Sequence, residues 1–208
     1  MKLSYAILVC NERDELEKLI NKILEFKDDE DEIVIVADSD SLSDAVADYL
    51  IELEKSGVSK FHINPLNKDF AQQKNFLMSK CGGDFIINID ADEIPSEGFM
   101  ANIKDIITLN PDIELIAVPR VNIVNGITPD YVRQMNWNQN NQGWINFPDY
   151  QLRIIKNNGK INWQGAVHER PIGAEMVSTL PSMEELCFYH IKDFERQKKQ
   201  NEFYDTIG

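Results

Sequence analysis

The chain is short of cysteine, glycine and positive charge, and each shortage closes off a class of protein. Its three cysteines, Cys10, Cys81 and Cys187, lie far apart and in no metal-ligand spacing. That excludes a disulfide framework and fits reduced thiols in a reducing compartment. Glycine and proline number only 10 and 8 in 208 residues, and no Gly/Ser-rich or Pro-rich linker divides the chain. One unit over residues 1–208 is therefore expected, with enough apolar residues for one full core. The longest apolar runs, "YAILVC" and "EIVIVA", are far too short to cross a bilayer, and no basic segment followed by an apolar stretch opens the sequence. A cytoplasmic location without a transmembrane segment is expected. Lysine and arginine total 21 against 35 acidic residues, a formal charge of −14. Such a surface repels phosphate backbones and anionic lipid, which argues against extended nucleic-acid contact. It leaves room for a small phosphorylated ligand, because a few fixed lysines or a divalent metal reverse the field inside one cleft.

What the chain does have is alternation. "LSYAILVC" is an apolar run of strand length, and "RDELEKLINKILEF" follows with Leu16, Leu19, Ile20, Ile23 and Leu24 on one helical face. "DEIVIVADSD" is a second strand ending in acids, followed by the helix "SDAVADYLIELEKSG" with Val46, Tyr49, Leu50 and Leu53 inward and Gly57 as its stop. "SKFHIN", the helix "DFAQQKNFLMSKCGG" and the strand "DFIINID" repeat the order. Strands alternating with helices predict a doubly wound, mostly parallel α/β sheet with right-handed crossovers. Ligands in such sheets bind beyond the carboxyl ends of the strands, where Asn11, Glu12, Asp38, Asp40, Asp90 and Asp92 stand. After the helix "SEGFMANIKDIITL" come strand-like pieces, "IELIAVP", "RVNIVNG" and "YQLRIIKNNGKINW", which predict a smaller antiparallel portion. The amide-rich residues 136–146 between them read as a long surface loop flanked by Trp137 and Trp144, a candidate lid on the acceptor side. "ELCFYHIK" and "DFERQKKQNEFYDTI" read as a final strand and helix.

The stretch "GGDFIINIDADEIPSEGF", residues 82–99, runs a hydrophobic strand into Asp90, Ala91, Asp92 and Glu93. Like charges crowded at a strand end repel, so the arrangement costs stability unless a cation sits among them. A charged approach to the helix at Ser96 explains Glu93 and Glu97 better than the two aspartates. An EF-hand is excluded, because its sixth and twelfth positions would be Pro95 and Ala101. A carboxylate pair for acid/base work is a third reading. A divalent-metal site for a diphosphate is the favoured one, since Mg²⁺ and Mn²⁺ take one or two carboxylates plus phosphate oxygens and water.

"YAILVCNERDEL", "IVIVADSDSLSD", "DFAQQKNFLMSKCGGDFIINIDADE" and "FPDYQLRIIKNNGKINWQGAVHE" together resemble the family 2 glycosyltransferases of GT-A fold, in particular small bacterial and phage members resembling lipopolysaccharide core sugar transferases. The likeness covers roughly residues 3–170. It implies an inverting, metal-dependent transferase using a nucleotide-sugar, UDP- or GDP-linked, with Mn²⁺ or Mg²⁺. The donor would lie against Cys10, Asn11, Glu12, Asp38, Asp40, Gln73, Lys74, Asn75, Asp90 and Ala91. Asp90 and Asp92 would hold the metal, with His168 or His190 completing its shell and His168 preferred. "ADSDSLSD" departs from the family in lacking a glycine after its aspartates, which leaves open both the loop's conformation and the choice between Asp38 and Asp40.

Inversion needs a base outside the metal pair to take the acceptor's proton. Glu169, in "GAVHERP", is the first candidate and Asp149, in "FPDYQLR", the second; their plainer roles would be a salt bridge to Arg170 and a turn before a strand. Residues 1–93 are then the nucleotide-sugar half, 94–192 the acceptor and catalytic half, and 193–208 a C-terminal helix. The acceptor would be a saccharide, a lipid-linked precursor or, less favoured by the acidity, a modified nucleobase. Two alternatives remain: a nucleotide-sugar and metal-binding protein without catalysis, and a sugar nucleotidyltransferase, against which "VCNERDEL" lacks the glycine-rich loop.

Overall fold

The computed structural model describes residues 1–166 and 168–205, with side chains described through Glu202. Strand β1, Leu3–Val9, runs into helix α1, Arg13–Phe26, which buries Leu16, Leu19, Ile20 and Ile23. Leu24, expected on the same face, is 40 % exposed, because it falls at the stripe's edge. Strand β2, Glu32–Asp38, leads to α2, Asp44–Lys55, whose N-cap Ser43 accepts a bond from the Val46 amide and whose four expected core residues are buried. Strand β3, Lys60–Asn64, precedes α3, Phe70–Met78, capped by Asp69. The helix ends at Met78, before the glycines; Gly83 is required where the chain passes β1, since a Cβ there would stand 2.7 Å from the Ser4 amide nitrogen. Strand β4, Phe85–Asp90, is followed by a short β5, Glu93–Pro95, and by α4, Glu97–Leu109, with Ser96 as its N-cap.

The second half is more irregular than its patterning implies. The two pieces expected on either side of Pro119 form one strand, β6, Leu115–Asn125. Proline is tolerated there because it sits where β6 changes neighbours on one side, from β10 (Val177–Thr179) to β11 (Phe188–Asp193). A short helix α5, Pro129–Gln134, precedes β7, Ile145–Lys156, and β8 (Asn162–Gln164) pairs with β9 (Arg170–Ile172) in a separate hairpin. Helix α6, Phe194–Asp205, ends the described chain.

The main sheet runs β3-β2-β1-β4-β7-β6-β11-β5, with β10 beside β6. The first four strands are parallel, and β7 joins β4 to β6 antiparallel to both. One face packs against α1, α2 and α4; the other packs against α3 and Trp163. The parallel strand ends and the antiparallel half thus face one another across a single cleft. Among the described residues no helix is long and apolar enough to cross a membrane.

Phe188 is 1 % exposed and meets Phe99 edge-on, with ring centroids 4.8 Å apart, so it ties β11 to α4. Phe188→Ala is expected to cost about 3–5 kcal/mol in urea unfolding. Leu109→Ala, at a side chain 80 % exposed, should change stability by less than about 0.5 kcal/mol.

Candidate active site

A cavity of about 770 Å³ opens at the carboxyl ends of β1, β2 and β4. Of the residues singled out above, Cys10, Glu12, Asp38, Asp40, Gln73, Lys74, Asp90, Ala91, Asp92, Asp149, His168 and Glu169 all line it. Asn11 and Asn75 do not. Asn11 is exposed. The Asn75 side chain accepts from the Trp163 amide at 2.8 Å and donates to its carbonyl at 2.9 Å, fastening β8 to α3. That is a structural use of a residue expected at the donor.

At one end of the cavity, Asp38 Oδ1 accepts from the amides of Asp40, at 3.0 Å, and Leu66, at 2.9 Å. Asp40 lies further out and accepts from the Asn67 amide. The loop after β2 needs no glycine, because the left-handed conformations fall across the gap at Asn67 and Lys68. Glu12 Oε2 accepts from the amides of Cys10 and Asn11, at 2.9 and 3.0 Å, so the end of β1 is shaped by a side chain folded back on its own backbone.

The crowded acids at the end of β4 are offset by two arginines from the antiparallel half. Glu93 is fully buried; its Oε1 accepts from Arg120 Nη1 at 2.9 Å and from Arg153 Nη2 at 2.5 Å, while its Oε2 accepts from the Asp90 amide. Arg153 Nη2 also reaches Asp90 Oδ2 at 2.7 Å. Burial pushes the Asp90 carboxyl up, but the charges of Arg153, Lys74 and Arg120 outweigh it and hold its pKa far below the ordinary range. Ion pairs buried this deeply are costly to break, since a lone charge would remain.

Asp149, the second candidate base, whose plainer role would have been a turn before the strand, lies within β7 and is held by four donors: Arg120 Nε and Nη2, Asn122 Nδ2 and Gln151 Nε2, all at 2.7 to 2.9 Å. Against the effect of burial, those bonds and the Arg120 charge lower its pKa. A carboxylate so saturated has little capacity to take a further proton. Glu169 is different. Its partner is Lys74 rather than Arg170: Lys74 Nζ donates to Glu169 Oε1 at 2.5 Å while lying 4.3 Å over the Trp163 ring.

Asp92 faces β11. Its Oδ2 lies 3.1 Å from His190 Nε2, and Arg196 of α6 approaches the same oxygen at 3.3 Å while also reaching Glu12 and Glu15. Burial raises the Asp92 pKa, but the His190 bond and charge, with help from Arg196, bring it below the ordinary value. Among the described residues no three His, Cys, Asp or Glu side chains come together closely enough to share a metal ion. The expected set of Asp90, Asp92 and His168 is therefore not assembled: Asp90 is engaged by Arg153, and His168, exposed and at φ 56°, lines the cavity without joining such a group. His190 is the histidine against Asp92. Lys192, two residues on, is buried, and that burial lowers its pKa to about 8.

Arg120, Asn122, Lys192 and the α6 residues Gln197 and Gln200 also line the cavity, and none was singled out from the sequence. A basic residue in an otherwise apolar strand, as with Arg120 and Lys192, was the available signal. Trp137 lines the cavity, but Trp144 is 9 % exposed and packs with Val121, Cys187 and Phe147, which removes it from a lid.

Residues 4–167 match the model of "Glycosyl transferase family 2". An uncharacterized glycosyltransferase of Rickettsia conorii is 38 % identical over 92 residues, which are 44 % of this chain and 29 % of that protein. The crystal structure of S. aureus TarS superposes with a TM-score of 0.63 at 13 % identity, over 92 % of this chain and 37 % of TarS. TarS 1–349 in complex with UDP-GlcNAc gives the same TM-score and identity, over 92 % of this chain and 59 % of that one. The chain thus spans about a third of the length of the curated relative and of TarS. The α/β sheet described above is the GT-A fold of those structures.

Removing Glu93 leaves two arginines without their buried partner, so Glu93→Ala is expected to cost about 3–5 kcal/mol by urea unfolding. The depressed pKa values of Asp90, Asp92 and Asp149 set a sign. Their contribution is complete above the unfolded carboxyl value of about 3.9 and is lost as pH falls through the lower folded values. Stability should therefore decline below about pH 4, and Arg153→Met should reduce both the stability at neutral pH and the size of that decline.

Proposed function

Because the chain belongs to glycosyl transferase family 2, we propose that it transfers a sugar, with inversion, from a nucleotide-sugar to an acceptor hydroxyl, assisted by a divalent metal. The observation that carries this reading is the meeting, on one cavity, of Asp92 with His190 on one wall and Glu169 on another. TarS 1–349 has been crystallised with UDP-GlcNAc, which makes a UDP-sugar the first donor to try and a GDP-sugar the second.

In this reading Asp38, with Asp40 outside it, receives the base and ribose, and the end of β1 closes over them. Asp92 and His190 would hold the Mn²⁺ or Mg²⁺ ion, being a carboxylate and an imidazole of the kinds such ions accept. The ion, when bound, stabilises the charge that grows on the departing nucleoside diphosphate. Asp90, neutralised by Arg153, shapes the pocket beside it. Lys74 turns Glu169 so that Oε1 is engaged, and Oε2 is the oxygen offered to the acceptor. As the acceptor oxygen attacks the anomeric carbon from the face opposite the diphosphate, its proton passes to Glu169 and the bond to the leaving phosphate breaks. Asp149, already holding four donors, is assigned no proton. Trp137, Asn146 and Gln151 form the side from which a saccharide or lipid-linked acceptor would approach.

A thermal-shift panel of nucleoside diphosphates with and without Mn²⁺ tests the reading: one base should stabilise the protein in a metal-dependent way. Asp92→Asn should abolish the metal-dependent part. Glu169→Gln should keep it and lower the release of diphosphate from the matching donor by about 10²–10⁴-fold. A shift that survives Asp92→Asn removes the metal site; wild-type protein that binds but turns over no donor would be a binding protein.

A further inference from the structure

We infer that Lys192 is the anion-binding residue of the cavity: its buried ammonium group, kept without a carboxylate partner, takes a phosphate oxygen of a bound diphosphate. The identity of that ligand rests on the nucleotide-sugar reading; the unpaired cation does not. Lys192 lies in β11 two residues beyond His190, and both line the cavity, since alternate residues of a strand share a face. It is 7 % exposed. Val124 of β6 stands across from it, and its Nζ donates to Gln200 Oε1 of α6 at 2.5 Å. Among the described residues no Asp or Glu forms an ion pair with it.

The other cations on the cavity wall are treated differently. Lys74 meets Glu169 at 2.5 Å, Arg120 meets Asp149 at 2.7 Å and Glu93 at 2.9 Å, and Arg153 meets Glu93 at 2.5 Å and Asp90 at 2.7 Å. Lys68 is exposed, so water solvates it. In a chain with 35 acidic residues against 21 basic ones, carboxylates are abundant, yet none is set against Lys192. Burying a cation without a counter-charge destabilises the fold, and local rules are broken in this way where a ligand is to be met. An ammonium group has three donors and no acceptor; Gln200 takes one, which leaves donors for an oxyanion. Lysine serves phosphate as a point charge. In the proposed reading a divalent ion on Asp92 and His190 has part of its charge offset by the Asp92 carboxylate, so it does not by itself neutralise a diphosphate. Arg120, Arg153 and Lys74 are already committed to carboxylates. Lys192, on the same strand as the histidine, is the buried cation left to hold the phosphate that departs with the nucleotide.

Calorimetric titration of the full chain in Mn²⁺, with UDP against UMP and GDP against GMP, separates the outer phosphate from the rest of the nucleotide. Lys192→Met, which keeps the length of the side chain and removes its charge, should weaken the diphosphate that wild type binds by about 10–100-fold and its monophosphate by less than about twofold. Lys192→Arg, which keeps the charge, should recover most of the loss. Unliganded Lys192→Met should melt at the wild-type temperature or above it, because an unpaired buried charge is gone. Lys192→Gln, able to keep the bond to Gln200, replaces it in the titrations if the methionine variant does not fold. A diphosphate affinity within about threefold of wild type in the uncharged variant, or an equal loss for diphosphate and monophosphate, overturns the inference. If neither diphosphate binds wild type, the nucleotide-sugar reading falls, and inorganic pyrophosphate without metal decides for Lys192. Pyrophosphate bound by wild type and lost in the uncharged variant keeps the anion site; no binding, or binding that survives the substitution, overturns it.

Discussion

Fully buried Glu93 sits between two arginines brought from sixty or fewer residues away, and the rest of the cleft depends on that arrangement. The acids from Asp90, at the end of β4, through Asp92 to Glu93, at the start of β5, could not pack against a second half of the molecule unless the repulsion were offset. Arg120 and Arg153 do so from β6 and β7, the two strands that turn the parallel sheet into a mixed one. The same contacts divide the acids by role. Glu93 and Asp90 are committed to arginine, whereas Asp92 is turned to β11 and meets a histidine. An ion pair alone is poor grounds for stability, since two buried charges lose their water. Its value here is geometric, because it locks the register at which the two halves meet.

From that lock the remaining features follow in order. Arg120 reaches Asp149 as well as Glu93, Asp149 holds Asn122, and Asn122 holds His190. On the opposite wall Lys74 holds Glu169 over Trp163. The two walls therefore offer unlike carboxylates. Asp92 stands beside a histidine and an arginine, and Glu169 beside a lysine; in the proposed reading the first would hold the cation and the second would take the acceptor's proton, a separation of roles suited to transfer chemistry at neutral pH. Arg196 adds a cation from the C-terminal helix that touches Asp92, Glu12 and Glu15 together, tying that helix to the donor end.

Much of the first half was legible in the sequence, because its physics is local. Apolar runs of strand length and helical stripes such as Leu16, Leu19, Ile20 and Ile23 report burial directly, and acids at strand ends point to the ligand crevice. Asp38 and Asp92 line the cavity for that reason, while Lys74 and Glu169, which join them there, were pointed to by the family resemblance. What was not legible is long-range. Nothing near position 93 announces Arg120 or Arg153, and no spacing separates His168 from His190; strand pairing alone decides which meets Asp92. Pro119 suggested a break that β6 does not make, because the change of neighbours at that point spares the missing donor. Trp144 and Asn75 resembled binding residues by type and surroundings, yet packing and backbone bonds occupy them.

The most direct measurement is anomalous diffraction at the manganese edge from a crystal grown with Mn²⁺ and UDP or GDP. A single peak bonded to Asp92 and to His190 Nε2, with the nucleotide's diphosphate on its far side and the base beside Asp38, is the predicted result. A nucleotide bound elsewhere, or metal density away from both side chains, would contradict it.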